Sequence, residues 1–142
     1  MKLVQHLLDT KGSEVISIAR EASVFDAIKV MADRAVGSLL VMEDEKIVGI
    51  VTERDYARKV ILLGRSSEAT KVEQIMSTEV ITATIGQTVR ECMTLMTERR
   101  IRHLPVVADD KVIGLISIGD LVQAIISDQQ LEIEQLESYI SG

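Results

Sequence analysis

The sequence predicts an α/β fold of the α+β type, made of two β-α-β-β-α repeats packed about a pseudo-two-fold axis. Shifting the chain by 65 residues aligns residues 14–61 with 79–126 without a gap, and 13 of these 48 pairs are identical. Each copy also has an apolar helix face followed by two strands around a polar turn. A period that occurs only twice indicates a duplicated unit, because a solenoid needs at least three repeats. One such unit cannot cover both faces of its own sheet, so the copies should pack together.

The first repeat is predicted over residues 8–64. A short helical turn over 3–9 leads into a strand over 14–18, and Ser23 with Asp26 has the spacing of a helix N-cap. The helix that follows should end near Gly37. Strands over 38–42 and 47–51 flank a polar turn at 43–46, and a second helix begins at Thr52 and ends near Gly64.

The second repeat is predicted over residues 72–130, after a polar linker at 65–71. Residues 72–76 resemble the lead-in of the first copy, and a strand over 80–82 and a helix over 88–99 follow. Two apolar strands then flank a polar turn at 108–111, and the last helix begins at about Gly119. Residues 131–142 extend this helix with an apolar stripe of Ile133, Leu136 and Ile140. The stripe should pack on the body or on another subunit, and covering its own core is equally favoured.

Composition excludes several classes of protein. The 142 residues carry a net charge of −6 and only 2% aromatic residues, so neither a basic surface nor stacking platforms for nucleic acid are expected. A single cysteine excludes an internal disulfide framework. The N-terminal residues lack a signal peptide, and no apolar run is long enough to span a membrane. We therefore expect a cytoplasmic protein that is not bound to membranes.

A hydroxyl residue followed three positions later by an acid occurs at four repeat-related places, 23–26, 52–55, 88–91 and 117–120. Helix capping explains each of them, so the spacing alone does not identify a ligand site. The pairs at 52 and 117 differ because each follows an apolar strand and keeps Asp in both copies. The junction at Ser117 should also attract anions, because a helix N-terminus carries unpaired N–H groups.

Two short motifs resemble those of the cystathionine-β-synthase (CBS) domain family. They are GIVTERD at residues 49–55 and GLISIGD at 114–120, and HLPVV at 103–107 and EVIT at 79–82 fit the same family. The resemblance covers roughly residues 8–126, and the chain looks like a stand-alone pair of CBS repeats. It implies clefts between the two repeats that bind adenosine-containing ligands.

The resemblance also implies the residues that line these clefts. Asp55 and Asp120 would accept hydrogen bonds from ribose hydroxyls, and Thr52 and Ser117 would reach phosphate or ribose. The adenine near Asp120 would lie against the other copy, at Ile16, Ser17, Ile18, Ser38 and Leu39. The adenine near Asp55 would lie against Ile81, Thr82, Ala83, His103, Leu104 and Pro105. Arg100, Arg102 and His103 resemble family positions that meet phosphates.

The two copies depart from each other near these positions. The first copy has Leu40 where the second has Pro105, and Gly37-Ser38 where the second has Arg102-His103. The clefts are therefore chemically unequal, and one nucleotide should bind more tightly than the other. For Arg102 and His103 we favour phosphate contact, whereas Arg99 and Arg100 also suit the C-terminal end of a helix, where cations are favourable.

No catalytic or metal site is predicted. The sequence has no nucleotide-binding glycine motif, no nucleophile elbow and no zinc-protease signature. Cys92 falls on the apolar face of a helix and reads as a core residue. The two histidines and the cysteine never occur at ligand spacing.

The leading hypothesis is therefore a non-enzymatic regulatory module that senses an adenine nucleotide. AMP is the first candidate, and ATP, ADP, NAD(H) and S-adenosylmethionine are the alternatives. The family resemblance implies a homodimer, and the sequence carries no readable signal for the effector protein. A dimerisation or scaffold module without ligand remains the alternative from a different class, and an enzyme would require turnover of the bound compound.

Overall fold

The structure is a computed structural model that describes residues 2–12 and 14–141. Helices and strands are mixed along the chain, which confirms the α+β class. The elements in chain order are α1 Val4–Lys11, β1 Ser17–Ala19, α2 Val24–Arg34, β2 Ser38–Glu43, β3 Lys46–Thr52, α3 Glu53–Tyr56, a π-helix Ala57–Ile61, a 3-10 helix Val72–Gln74, α4 Val89–Arg99, β4 His103–Ala108, β5 Lys111–Ser117 and α5 Ile118–Ser141.

The chain divides into two compact units. The first-repeat unit contains residues 15–81 and 110–112, and the second-repeat unit contains residues 82–109 and 113–141 with the described residues up to 14. The N-terminal helix α1 thus belongs with the second repeat, and residues 65–81 belong with the first. The repeats predicted from the sequence, residues 8–64 and 72–130, have different bounds from these units and stay a prediction.

The first-repeat unit is organised around a three-stranded sheet in the order β1-β2-β3. β1 runs parallel to β2, and β2 runs antiparallel to β3. Helix α2 buries Val24, Ala27 and Met31 of the apolar face that the sequence predicts, whereas Ile28 on the same face is only partly buried. The three buried residues pack in one cluster with Leu39 and Val51 of the sheet. This cluster fixes β3 against α2, and the position of β3 in turn determines where the residues that follow it lie.

The β4-β5 hairpin, apart from residues 110–112, forms the sheet of the second-repeat unit. Helix α4 buries Val89, Cys92 and Met96 of its apolar face, whereas Met93 on the same face is only partly buried. Leu104 and Ile116 of the hairpin are fully buried as well. Helix α5 follows β5 without a connecting loop. The second-repeat unit therefore presents the end of its last strand in the same way as the first.

Both hairpins turn through two acidic residues. Asp44 and Glu45 have φ values of 50° and 67°, and Asp109 and Asp110 have 51° and 62°. A two-residue connection with positive φ at both positions matches the right-handed twist of the flanking strands, and Asp tolerates this conformation better than most residues. The predicted turns at 43–46 and 108–111 are confirmed.

Two predicted strands are wrong in extent. The strand expected over 14–18 is β1, residues 17–19, and the strand expected over 80–82 does not form. In the first unit, the Leu40 N–H donates to the Ile16 carbonyl at 3.4 Å. Pro105 stands at the repeat-equivalent position and has no N–H to donate. The second copy keeps only an isolated parallel bridge between Ala83 and Val106.

The polar stretch 65–71 is fixed to the start of α2. The Val24 N–H donates to the Thr70 carbonyl at 2.8 Å, and the Phe25 N–H donates to the Ser67 carbonyl at 2.9 Å. Thr70 is buried although it is polar, and its hydroxyl donates to the Ser66 carbonyl. These bonds satisfy N–H groups that a helix N-terminus leaves unpaired.

The helix predicted from Thr52 to about Gly64 changes its geometry on the way. Only residues 53–56 are α-helical, and residues 57–61 form a π-helix. Gly64, with φ of 66°, follows the helical turns as expected for a residue that ends a helix. The π-helix was not predicted, and it fixes the position of Lys59.

The end of α5 extends away from the core of its unit. Ile133, Leu136 and Ile140 are exposed to 55%, 62% and 82% of their surface. Among the described residues the stripe therefore does not cover the chain's own core. The alternative expectation, contact with another subunit, stays a prediction.

Candidate functional site

The first motif lies where β3 ends and α3 begins. Asp55 Oδ2 accepts hydrogen bonds from the Thr52 N–H at 3.0 Å and the Thr52 hydroxyl at 3.1 Å, and the Asp55 N–H donates to Thr52 Oγ1 at 3.1 Å. Ser38 pairs with Thr52 across the β2-β3 ladder and is nearly buried. The Asp55 carboxylate is thus fixed at the end of a buried strand, with part of its surface open to solvent.

Lys59 is the counter-ion of this carboxylate. Lys59 Nζ lies 3.3 Å from Asp55 Oδ1 and donates to the Ile75 carbonyl at 2.9 Å. The lysine therefore connects the motif to the segment that follows the 3-10 helix. The spacing of four residues from Asp55 is the one at which opposite charges meet on a helix.

The second motif repeats the arrangement at the junction of β5 and α5. Asp120 Oδ2 accepts the Ser117 N–H at 2.8 Å, and the Asp120 N–H donates to Ser117 Oγ at 3.1 Å. Lys11 from α1 donates to the same Asp120 oxygen at 2.5 Å and to the Leu115 carbonyl at 2.7 Å. Burial raises the pKa of Asp120, but the bonds from Lys11 and Ser117 outweigh it, and the pKa falls below its ordinary value.

Capping bonds also form at the other two places with the same spacing. The Asp26 N–H donates to Ser23 Oγ at 3.1 Å, and Thr88 and Glu91 exchange bonds in both directions. All four predicted N-caps therefore exist. What separates Asp55 and Asp120 from the others is the strand directly before the cap and the lysine beside the carboxylate.

The structure brings Arg102 and His103 to the second motif. The Ile118 N–H donates to the Arg102 carbonyl at 2.9 Å, so the start of β4 lies beside the start of α5. His103 is half-buried there. Burial lowers the pKa of His103, the positive charges of Lys11 and Arg102 lower it further, and the charge of Asp120 opposes them. His103 therefore takes up a proton less readily than an exposed histidine does.

This shift predicts a pH-dependent stability. Unfolded histidine takes up a proton near pH 6.5, whereas folded His103 does so only at lower pH. Between these two values the unfolded state binds more protons, so the free energy of unfolding should fall as the pH drops from about 7 towards 5. Denaturant unfolding of His103→Gln should show a weaker pH dependence than the wild type. The same slope in His103→Gln and in the wild type would contradict the assignment.

The remaining predicted residues of the first-repeat unit lie near Thr52 or along the neighbouring strand. Ser38 and Leu39 begin β2, and Leu39 is buried. Ser17 and Ile18 lie on β1, where they pair with Leu40 and Val41. Ile16 packs against the core cluster. Ile81 is also in this unit.

In the second-repeat unit, the predicted residues flank the parallel bridge. The Ala83 N–H donates to the Pro105 carbonyl at 2.9 Å, and both residues are buried with Leu104. Thr82 precedes the bridge and is exposed, and Arg100 is the exposed C-cap of α4, with φ of 56°. The expected grouping of Asp120 with 16–18 and 38–39, and of Asp55 with residues around Ala83 and Leu104, remains a prediction.

Sequence reasoning missed both lysines. Lys59 could have been found from its spacing of four residues after Asp55, since opposite charges at this spacing attract. Lys11 is 109 residues from Asp120, and no local pattern joins them.

Neither a metal cluster nor a membrane-spanning helix occurs among the described residues. Among them, no group of three His, Cys, Asp or Glu side chains could hold a metal ion, and no described helix has the length and apolarity needed to cross a membrane. Cys92 is buried, and burial raises the pKa of its thiol, as does the nearby Glu91 charge. A groove of about 400 Å³ lies in the second-repeat unit, lined by residues of α4 and α5 such as Val89, Arg90 and Glu132. None of the predicted site residues lines it.

The chain is thus a tandem α+β module. Each of its two units has one carboxylate that is fixed at a helix N-cap directly after a strand. The CBS domain family matches the sequence twice, over residues 9–61 and 72–127. These two matches cover most of the chain and include both motifs. The chain therefore belongs to the CBS domain family.

Relatives and solved structures agree with this assignment. The mitochondrial CBS domain-containing protein CBSX3 of Arabidopsis thaliana is 46% identical over 125 residues, which cover 84% of this chain and 61% of the plant protein. The chain thus spans less than two thirds of that relative. A solved structure from Burkholderia ambifaria is named as that of a signal-transduction protein with CBS domains. It is 50% identical to this chain, with a TM-score of 0.85, and the match covers 90% of this chain and 96% of that chain.

A third similar structure contains bound ligands. The CBS domain pair of protein MJ0100 was crystallised in complex with 5′-methylthioadenosine and S-adenosyl-L-methionine. It is 25% identical to this chain, with a TM-score of 0.78, and the match covers 90% of this chain and 98% of that one. Both of its ligands contain adenosine.

Proposed function

We propose that this chain is a non-enzymatic regulatory module that binds an adenosine-containing small molecule at the Asp55 and Asp120 motifs. AMP is our first candidate, ahead of ATP, ADP, NAD(H) and S-adenosylmethionine. The observation that carries the proposal is the repetition of one arrangement in both units. A partly exposed carboxylate follows a buried strand, is fixed by the hydroxyl residue three positions before it, and has a lysine beside it.

This arrangement suits a ribose. A carboxylate can accept hydrogen bonds from two adjacent hydroxyl groups, and charge-assisted bonds of this kind are about twice as strong as neutral ones. The positive charges of Lys11 and Arg102 near Asp120 suit phosphate groups, and His103 offers a ring N–H donor beside them. The preference for adenine rests on the family resemblance and on the two adenosine compounds bound by MJ0100.

Regulation in this proposal is a shift between conformations. A ligand moves such an equilibrium only by its differential affinity for the two states, so the unequal surroundings of Asp55 and Asp120 favour unequal responses. The chain offers no paired nucleophile and base at either motif, so we assign it no catalytic step. The cytoplasm stays our predicted location.

The second candidate is a dimerisation or scaffold module without ligand. The capping bonds at both motifs are complete without any ligand, which favours this alternative. The exposed apolar stripe on α5 also suits contact with a second copy. We propose a homodimer under either function, because a stripe of exposed Ile and Leu costs free energy in water.

A thermal-shift panel separates the two functions. A ligand present at a hundredfold excess over its dissociation constant stabilises the folded state by about 2.7 kcal/mol. We expect AMP or another adenine compound to raise the melting temperature of the wild-type chain, and GMP, the matched control, to raise it less. No shift with AMP, ADP, ATP, NAD or S-adenosylmethionine would favour the scaffold.

A further inference from the structure

The N-terminal helix α1 is fixed along the second-repeat unit. The Val4 N–H donates to the Gln87 carbonyl at 2.9 Å, and the Val89 N–H donates to the Lys2 carbonyl at 3.0 Å. Val4 is fully buried. Leu8 lies over Gly114 of β5, so close that a Cβ on this glycine would be 2.5 Å from the leucine side chain. Helix α1 is therefore a fixed part of this unit.

Lys11, the last residue of α1, contacts Asp120, which is the predicted ribose acceptor. The chain leaves the helix at Gly12, where φ is 96° and the N–H donates to the Leu8 carbonyl at 2.7 Å. Lys11 Nζ bridges the Leu115 carbonyl and Asp120 Oδ2. The Lys11 and Asp120 side chains are about one third and one quarter exposed, so this pair is partly screened by solvent.

The first-repeat unit makes the corresponding connection differently. Met76 covers Gly49 there as Leu8 covers Gly114. The lead-in is only the 3-10 helix over residues 72–74, and the lysine comes instead from Lys59 in the π-helix. Ala124 stands at the repeat-equivalent position of Lys59 and is nearly buried. Lys11 is thus specific to the second motif and belongs to the segment that docks there.

The acceptor capacity of Asp120 sets up a competition. A carboxylate oxygen has about two acceptor positions, and Oδ2 already accepts both the Ser117 N–H and Lys11. The Ser117 N–H is held by the backbone, whereas the lysine side chain is flexible. A ribose hydroxyl that reaches Oδ2 must therefore displace Lys11.

We propose that Lys11 gates the Asp120 motif: the lysine occupies Asp120 Oδ2 when no ligand is bound, and a ribose hydroxyl that bonds to this same oxygen releases the end of α1. This inference rests on the proposed function. It adds the conformational change that ligand binding would cause, which is the release of the end of α1. The Asp120 motif then binds a ribose more weakly with Lys11 present than it does without Lys11. Exposed ion pairs are worth at most about 1 kcal/mol, which corresponds to about fivefold in affinity.

The first test measures ligand binding to chains that carry Asp55→Ala, so that only the Asp120 motif remains. Adenosine is the probe, because it has the ribose and no phosphate to pair with a lysine. Calorimetric titration should give about fivefold tighter binding when Lys11→Met is added. Lys2→Met is the matched control on the same segment and should change nothing. Equal or weaker binding by Lys11→Met overturns the gate, while absence of binding by the wild-type chain in the ligand panel overturns the proposed function itself.

The second test needs no ligand. Asp120→Asn keeps an oxygen for the Ser117 N–H but removes the charge that holds Lys11. Hydrogen exchange of the amides at residues 8–12 should become roughly threefold to tenfold faster, since local opening follows the loss of a contact. Asp55→Asn, the same change in the other unit, should leave these amides unchanged. Equal exchange in both variants overturns the link between Asp120 and α1.

Discussion

Replacing both Asp55 and Asp120 by alanine is expected to abolish the stabilisation of the chain by adenine compounds. Each single substitution removes a carboxylate whose hydrogen bonds to ribose would be charge-assisted, and such bonds contribute about 1.5–3 kcal/mol each. A single substitution should therefore weaken binding at its own motif by roughly tenfold to a hundredfold. Isothermal titration with AMP is the measurement.

The controls for this prediction come from the two other caps. Alanine at Asp55 or Asp120 also removes the carboxylate that accepts the Thr52 or Ser117 N–H, which costs about 1 kcal/mol of stability without any ligand. Glu91→Ala removes the acid of the cap at Thr88, and Asp26→Ala removes an acid from the first turn of α2. Both should bind AMP as the wild type does. Unchanged affinity in Asp55→Ala and Asp120→Ala would remove these residues from the site.

The largest loss of stability is expected for Gly49→Ala. A Cβ at this position would be 2.6 Å from Met76 Sδ and 2.9 Å from the Ser77 carbonyl oxygen. The sulfur can move, but Ser77 cannot, because it exchanges two backbone hydrogen bonds of 2.9 Å with Ile50. Overpacking of this kind costs about 1–3 kcal/mol. Denaturant unfolding measures the loss.

Gly114→Ala is the matched control in the second-repeat unit. The atoms nearest to its new Cβ belong to the end of the Leu8 side chain, which can rotate away. We expect a smaller loss of stability than for Gly49→Ala. An equal or larger loss would mean that α1 is held as rigidly against β5 as Ser77 is held against β3.

Local sequence rules predicted the parts of the fold that are stabilised locally. Ser23, Thr52, Thr88 and Ser117 cap helices because a hydroxyl and an N–H three residues later are close in any helix start. The acidic hairpin turns follow from strand twist and the tolerance of Asp for positive φ. These features need no knowledge of distant residues.

The errors come from partners that are distant in the sequence. The strand expected over 80–82 fails because its partner segment has Pro105 in place of a donor. The proline is visible in the sequence, but the sequence does not show that Pro105 lies where a strand partner would need to donate an N–H. The π-helix over 57–61 has no composition signal, and the reach of Lys11 to Asp120 depends on where α1 docks.

The central claim is that a ribose binds at the two motif carboxylates, and amide NMR spectra titrated with AMP test it most directly. The account predicts that the resonances of Thr52, Asp55, Ser117 and Asp120 move and saturate with added AMP, while those at the exposed end of α5, such as Leu136, stay in place. No shift at any of the four motif amides, or shifts confined to α5, would contradict it.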